Sequence, residues 1–195
     1  DREVEQILKS LSALRERQEA MDPSKTVRCR SWKEVMAAFR PALRWRQDIE
    51  DALSVMLAVT LSTDQVGSQL FLQVIGSPGS AKTRLAEALL TSEWCHALEH
   101  LTGFHSGWKD NEDGDYSLLS RVNHKTMITP EGDVLMSNPA APQIMSQQRR
   151  IFDGSSGASY KNRKEDLKWE GLRTPWIICG TQALMDTDQA KLGDR

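Results

Sequence analysis

The chain has 195 residues, 39% of them hydrophobic and 27% charged, with a net charge of −2. That length supports one domain with a full core, and the composition is ordinary for a globular protein. It excludes a global electrostatic pull toward nucleic acid or anionic membrane, so any such binding would need a local patch. Three widely spaced cysteines, Cys29, Cys95 and Cys179, argue against a disulfide framework and a structural zinc site, and for a reducing, cytoplasmic setting. No apolar run reaches the ~18 residues of a membrane span, so no membrane partner is expected. The chain opens on Asp1 and closes on "KLGDR", and is expected to be part of a longer protein.

Residues 1–21 carry Val4, Ile7, Leu11, Leu14 and Met21 at helical a/d spacing, ended by Asp22-Pro23. This predicts an amphipathic helix packed on the main domain; a short coiled coil or partner-docking arm is the sharper alternative. Residues 28–46, "RCRSWKEVMAAFRPALRWR", interleave six basic residues with Trp32, Phe39 and Trp45. A helix with its aromatics toward the core and its arginines solvated is expected, with a nucleic-acid surface as the alternative. Residues 1–46 are read as a helical N-terminal extension and 47–195 as the core.

Within the core, 47–63 predicts a helix, "QLFLQVIG" (69–76) a buried strand and "KTRLAEALLTSEWCHALEHL" (82–101) a helix. The acidic run around Gly114 predicts a solvated loop; Lys109 and Ser120 fall where calcium ligands would be needed, so calcium is rejected. A second strand runs to Ile128 and ends in a "PEGD" turn. A helix follows to Gly154, then a polar hairpin or loop over 155–171, then a third strand at 176–179. Strand, helix, strand, helix, strand implies an α/β fold with a parallel sheet. The four histidines include one i, i+4 pair, His96 and His100, without the Glu of a zinc-protease helix, so zinc is not expected.

The chemistry concentrates at "GSPGSAKT": Gly76, Ser77, Pro78, Gly79, Ser80, Ala81, Lys82 and Thr83, followed by Arg84. A phosphate cradle needs backbone N–H groups turned inward, a helix N-terminus aimed at the anion, a lysine for the terminal phosphates and a hydroxyl for Mg²⁺. Gly76 and Gly79 allow the tight backbone, and Lys82 and Thr83 supply the two side chains. The consensus G-x-x-x-x-G-K-[ST] has glycine where Ala81 stands; with helical φ there the extra methyl costs little. A strand before and a helix after satisfy the required context.

The octapeptide resembles the Walker A loop of AAA+ ATPases, among which minichromosome-maintenance helicases and MoxR-type ATPases carry the same Ala-Lys pair. The resemblance implies a P-loop NTPase (AAA+-like) fold binding ATP and Mg²⁺. "TMITPE" (126–131) is similar to a Walker B strand, placing Glu131 on the catalytic glutamate and Pro130 where the metal-linked aspartate belongs. Asp133 is the substitute metal ligand, acting through water, beside Thr83; the alternative is that "PEGD" is simply a turn. "WIICGTQAL" resembles a sensor 1 strand, with Thr181 and Gln182 on the phosphate-contacting pair, or a plain polar strand end. Arg195 falls on the arginine-finger position, with Arg149 and Arg150 as rivals. "TGFHSG", "SLLSRVNHKTMITPEGDVLMS", "RRIFDGSS" and "IICGTQALMD" are together similar to ATPases of phages and mobile elements, with Pro130-Glu131 replacing their Lys-Asp and Phe152 their Tyr.

The resemblance implies an ATP-hydrolysing motor core that works as a homo-oligomer, such as a hexameric ring, with sites shared between subunits. Its C-terminal helical lid would lie beyond Arg195. Two alternatives stay open: a helicase or replication-linked ATPase acting on DNA, and a non-hydrolysing nucleotide-gated scaffold.

Overall fold

The structure, a computed structural model, describes residues 29–65, 67–105, 117–159 and 166–185. The helix expected over 1–21, the loop expected around Gly114 and Arg195 lie outside the described residues. The chain divides into two compact units, Asp1–Glu50 and Asp51–Arg195, where the sequence placed the boundary at 46/47.

In the first unit, α1 (Trp32–Phe39) begins at Ser31, whose hydroxyl accepts the Glu34 N–H at 3.3 Å. Trp32 is 42% exposed, where the sequence expectation turned it to the core. The helix tightens into a 3₁₀ turn at Pro41, which cannot continue an α-helical hydrogen-bond ladder. Trp45 Nε1 donates to Glu50 Oε2 at 3.1 Å, and the Arg40 guanidinium lies 5.8 Å from the Trp45 ring.

The helix α2 (Gln47–Leu61) opens on Asp48 and Glu50, acids that suit the positive end of a helix dipole. Its Leu53, Met56 and Val59 are buried at i, i+3, i+6 spacing. Four strands then form one parallel sheet: β1 (Phe71–Ile75), β2 (Cys95–Ala97), β3 (Thr126–Thr129) and β6 (Trp176–Gly180). Their order is β1-β6-β3-β2. The last strand is thus inserted between the first and third, in register Ile75↔Gly180 and Thr129↔Ile178. The helices α3 (Lys82–Leu89), α4 (Leu118–Val122), α5 (Gly132–Ser137) and α6 (Ala141–Phe152) flank the sheet. A separate antiparallel hairpin pairs β4 (Ser155–Ala158) with β5 (Leu167–Glu170).

β3 and β6 are buried at every position, as central strands of a covered parallel sheet must be. Trp176 anchors the core: its ring meets Phe104 edge-on at 5.7 Å and Phe71 at 5.5 Å. Its indole N–H donates to Thr129 Oγ1 at 3.0 Å, which removes the cost of burying that polar group. Truncating Trp176 to alanine would cost about 3–5 kcal/mol.

The sequence reading is corrected at one element. The predicted 82–101 helix stops at Leu89, and Cys95–Ala97 is instead a strand paired with 126–128. Thr91 and Ser92 fold the chain back, with Thr91 Oγ1 donating to the Ala88 carbonyl and the Ser92 N–H to that of Leu89. Side chains of this type compete with the helix ladder. β3 then offers a partner that no local pattern announces.

Candidate phosphate-binding site

Three loops meet at the carboxyl ends of the strands, where open α/β sheets place their ligands. The loop after β1 begins with Gly76, whose N–H donates to the Gly180 carbonyl at 3.1 Å. A Cβ at Gly76 would lie 2.7 Å from Ser80 Oγ and 3.3 Å from Ser80 Cβ, so a side chain there would force Ser80 to move. Residues 77–80 make a turn with the Ser80 N–H bonded to the Ser77 carbonyl at 3.2 Å. Pro78 at the second position and Gly79 at φ 77° at the third fit a type II turn. The sequence writes that turn locally.

Ala81 is different from expectation. Its φ is 68°, left-handed, not helical. The methyl there costs about 1–2 kcal/mol relative to right-handed backbone. The conformation turns the chain so that α3 starts at Lys82, and Ala81 offers no side-chain cap. The first-turn N–H groups are therefore left for an external acceptor.

Lys82 Nζ donates to the Ser77 carbonyl at 3.2 Å, folding the ammonium over its own loop. Thr83 Oγ1 donates to Glu131 Oε1 at 3.2 Å. Glu131 follows β3 after Pro130, as N-cap of α5, with φ −124° and no side-chain cap bond to that helix; its carboxylate meets Thr83 instead. Cys179 lies beneath: its Sγ sits 3.8 Å from the Lys82 carbonyl, and burial pushes its pKa up to about 12. The Lys82 ammonium opposes that rise and the Glu131 carboxylate adds to it, so both charges lie close to one buried sulfur.

The end of β6 supplies the third loop. Thr181 donates its N–H to both oxygens of Asp133, at 3.2 and 2.9 Å. The Thr181 hydroxyl accepts the Ala183 N–H at 3.3 Å. Gln182 is exposed and its amide bonds Met185 Sδ at 3.4 Å, within its own turn. Arg84 is exposed and paired with Glu87 at 3.1 Å. Arg149 and Arg150 are on the last turn of α6. Pro130 is buried at the end of β3.

The residues fit a nucleotide phosphate with a divalent cation. Ser80 Oγ is buried with no hydrogen-bond partner, inside the loop that would surround the anion. The described residues contain no cluster of three His, Cys, Asp or Glu. A Mg²⁺ on a triphosphate does not need one, because phosphate oxygens and water fill most of its coordination. Thr83 would hold such an ion, with Glu131 alongside.

Sequence reasoning missed Gly132 and Gly180. A Cβ on Gly132 would fall 2.2 Å from Ile178 Cγ2 and 2.9 Å from the Cys179 carbonyl. One on Gly180 would fall 2.6 Å from Leu184 Cδ2. These two bare positions let the Glu131 turn press against β6. Their only sequence signal was glycine beside each candidate residue.

A cavity of about 550 Å³ lies elsewhere, between α6 and β4, lined by His105, Gln143, Gln147 and Arg150 among others. It includes none of the loop residues above. No helix among the described residues is long and apolar enough to cross a membrane. Comparison with protein-family models and with curated proteins finds no match for this chain.

Proposed function

We propose that this chain is the core of an AAA+-type P-loop ATPase, working as a homo-oligomer that remodels a nucleic acid or protein. The observation that carries the reading is the 3.2 Å contact between Thr83 and Glu131. It places a hydroxyl suited to a phosphate-bound cation beside a carboxylate suited to activating water, at the mouth of a glycine-containing loop. Backbone N–H groups at Gly79, Ala81, Lys82 and Thr83 would hold the phosphates, and Lys82 would add its positive charge once released from Ser77. Mg²⁺ would supply charge that offsets the phosphate oxygens. Glu131 would orient the attacking water and accept its proton on a carboxylate oxygen. Thr181, Gln182 and an arginine such as Arg195 complete the set that the family resemblance implies.

The test is ATP turnover against protein concentration for the wild type, Lys82→Ala and Glu131→Gln. Turnover that rises cooperatively and vanishes in both variants is expected. Binding that survives Lys82→Ala unchanged would sink the phosphate-loop reading.

One observation favours a second reading. Pro130, buried where a metal-linked aspartate is expected, has no side-chain oxygen, which suits a non-hydrolysing, nucleotide-gated scaffold. That reading predicts tight ATP binding without turnover at any concentration. A DNA substrate would use the 28–46 stretch, where Trp32 and Arg44 are exposed. Charge reversal at Arg28, Arg30, Arg44 and Arg46 should then abolish a salt-sensitive DNA affinity.

A further inference from the structure

The peptide unit between Gly180 and Thr181 is held at both ends. Its carbonyl accepts the Gly76 N–H at 3.1 Å, at the root of the phosphate loop. Its N–H is gripped by both oxygens of Asp133, at 3.2 and 2.9 Å, in the first turn of α5. A peptide unit is planar and stiff, so fixing its N–H fixes the direction of its carbonyl. Hydrogen bonds on the two sides of one amide also polarise each other. The approach is possible because neither neighbour has a Cβ: one at Gly180 would sit 3.2 Å from Asp133 Oδ1, and one at Gly132 would strike Ile178. Together with Thr83–Glu131, these contacts close a ring: β1 loop to β6, β6 to α5, Glu131 back to α3.

We infer that Asp133 is a positioning residue, which aligns the Gly180–Thr181 peptide with the phosphate loop and keeps Glu131 facing Thr83, and that it is not a ligand of the metal. This rests on the nucleotide reading proposed above. Both carboxylate oxygens face the one Thr181 N–H, which is the geometry of an orienting acceptor. An asparagine keeps one such acceptor but is a poor cation ligand; an alanine keeps neither.

The experiment has two arms, on wild type, Asp133→Asn and Asp133→Ala. Amide hydrogen exchange is read at Gly76 and Thr181 without nucleotide. ATP affinity, kcat and the Mg²⁺ concentration for half-maximal rate are read with it. Asp133→Ala should lose about tenfold or more of its protection at both amides. Its kcat should fall roughly 100-fold, as misplacement of a reacting group does, with ATP affinity kept within about threefold. Asp133→Asn should keep most protection, most of kcat and an unchanged Mg²⁺ requirement; it also serves if the alanine variant folds poorly. Equal loss in both variants with a raised Mg²⁺ requirement would make Asp133 a metal ligand and overturn the inference. So would unchanged exchange at Gly76, or an alanine variant that turns over like wild type. If the wild type binds no ATP, the proposed function falls too, which separates that failure from the others.

Discussion

Thr83 and Glu131 are 48 positions apart in the chain, yet the hydroxyl of one donates to the carboxylate of the other at 3.2 Å. Glu131 makes no side-chain cap bond to α5. Thr83 is carried by the start of α3 and Glu131 by the end of β3, and the two strands before them are not neighbours. β6 lies between, so the pair meets across the mouth of the sheet.

The strained alanine gives a stability prediction. Ala81→Gly removes a methyl from left-handed backbone, which gains about 1–2 kcal/mol, and adds unfolded-state freedom, which gives back roughly 0.5–1. A net gain of between about 0 and 1.5 kcal/mol is expected in denaturant unfolding, with ATP affinity unchanged. Ala81→Val, β-branched at the same φ, should lose stability instead.

Gly132 gives the opposite case. The substitution Gly132→Ala places a methyl against Ile178 Cγ2 and the Cys179 carbonyl. Backbone cannot yield as a side-chain tip can, so an overpacking loss of about 1–3 kcal/mol is expected. The Glu131 turn should shift with it. Chemical denaturation measures the first effect, and turnover below that of an equally destabilised core variant measures the second.

Cys179 sets a pH limit. Its folded pKa is raised to about 12 by burial, above an unfolded thiol near 8.5. The folded state therefore disfavours the thiolate. The stabilisation is fully present below the unfolded value and lost as pH climbs toward the folded one, by at most about 1.4 kcal/mol per pH unit. Unfolding free energy measured from pH 8 to 10.5 should fall more steeply in wild type than in Cys179→Ala. Thiol reagents at pH 8 should leave Cys179 untouched until denaturant is added.

His105 sets a limit on the acid side. Its ring stacks on Trp169 at 5.0 Å, and Nε2 lies 2.9 Å from Ser156 Oγ. The Phe104 N–H donates to Gln147 Oε1, which leaves the Gln147 amide N–H to donate to His105 Nδ1. Nε2 then carries the ring proton and donates to Ser156. Burial, and secondarily the Arg150 charge, lower the His105 pKa. Stability is thus present above the unfolded value near 6.5 and lost as pH falls through the folded one. Trp169 fluorescence and amide exchange in β4 and β5 should report a hairpin that loosens as pH falls below about 6.5. In His105→Gln that pH dependence should vanish.

What the sequence determined by itself was local. The Pro78-Gly79 turn, the Lys82-Thr83 start of α3, the stop of α6 at Gly154 and the apolar runs of β1, β3 and β6 follow from backbone preference and hydrophobic pattern within a few residues. Glu131 and Thr181 were legible as candidates because each ends an apolar run. The tertiary structure alone decided the rest. It seated β6 between β1 and β3, made a strand of Cys95–Ala97, and turned Ala81 left-handed. It also joined Asp133 to the peptide that anchors the phosphate loop. Those outcomes depend on hydrogen bonds and steric clearances between segments far apart in the chain, and no window of sequence contains both partners.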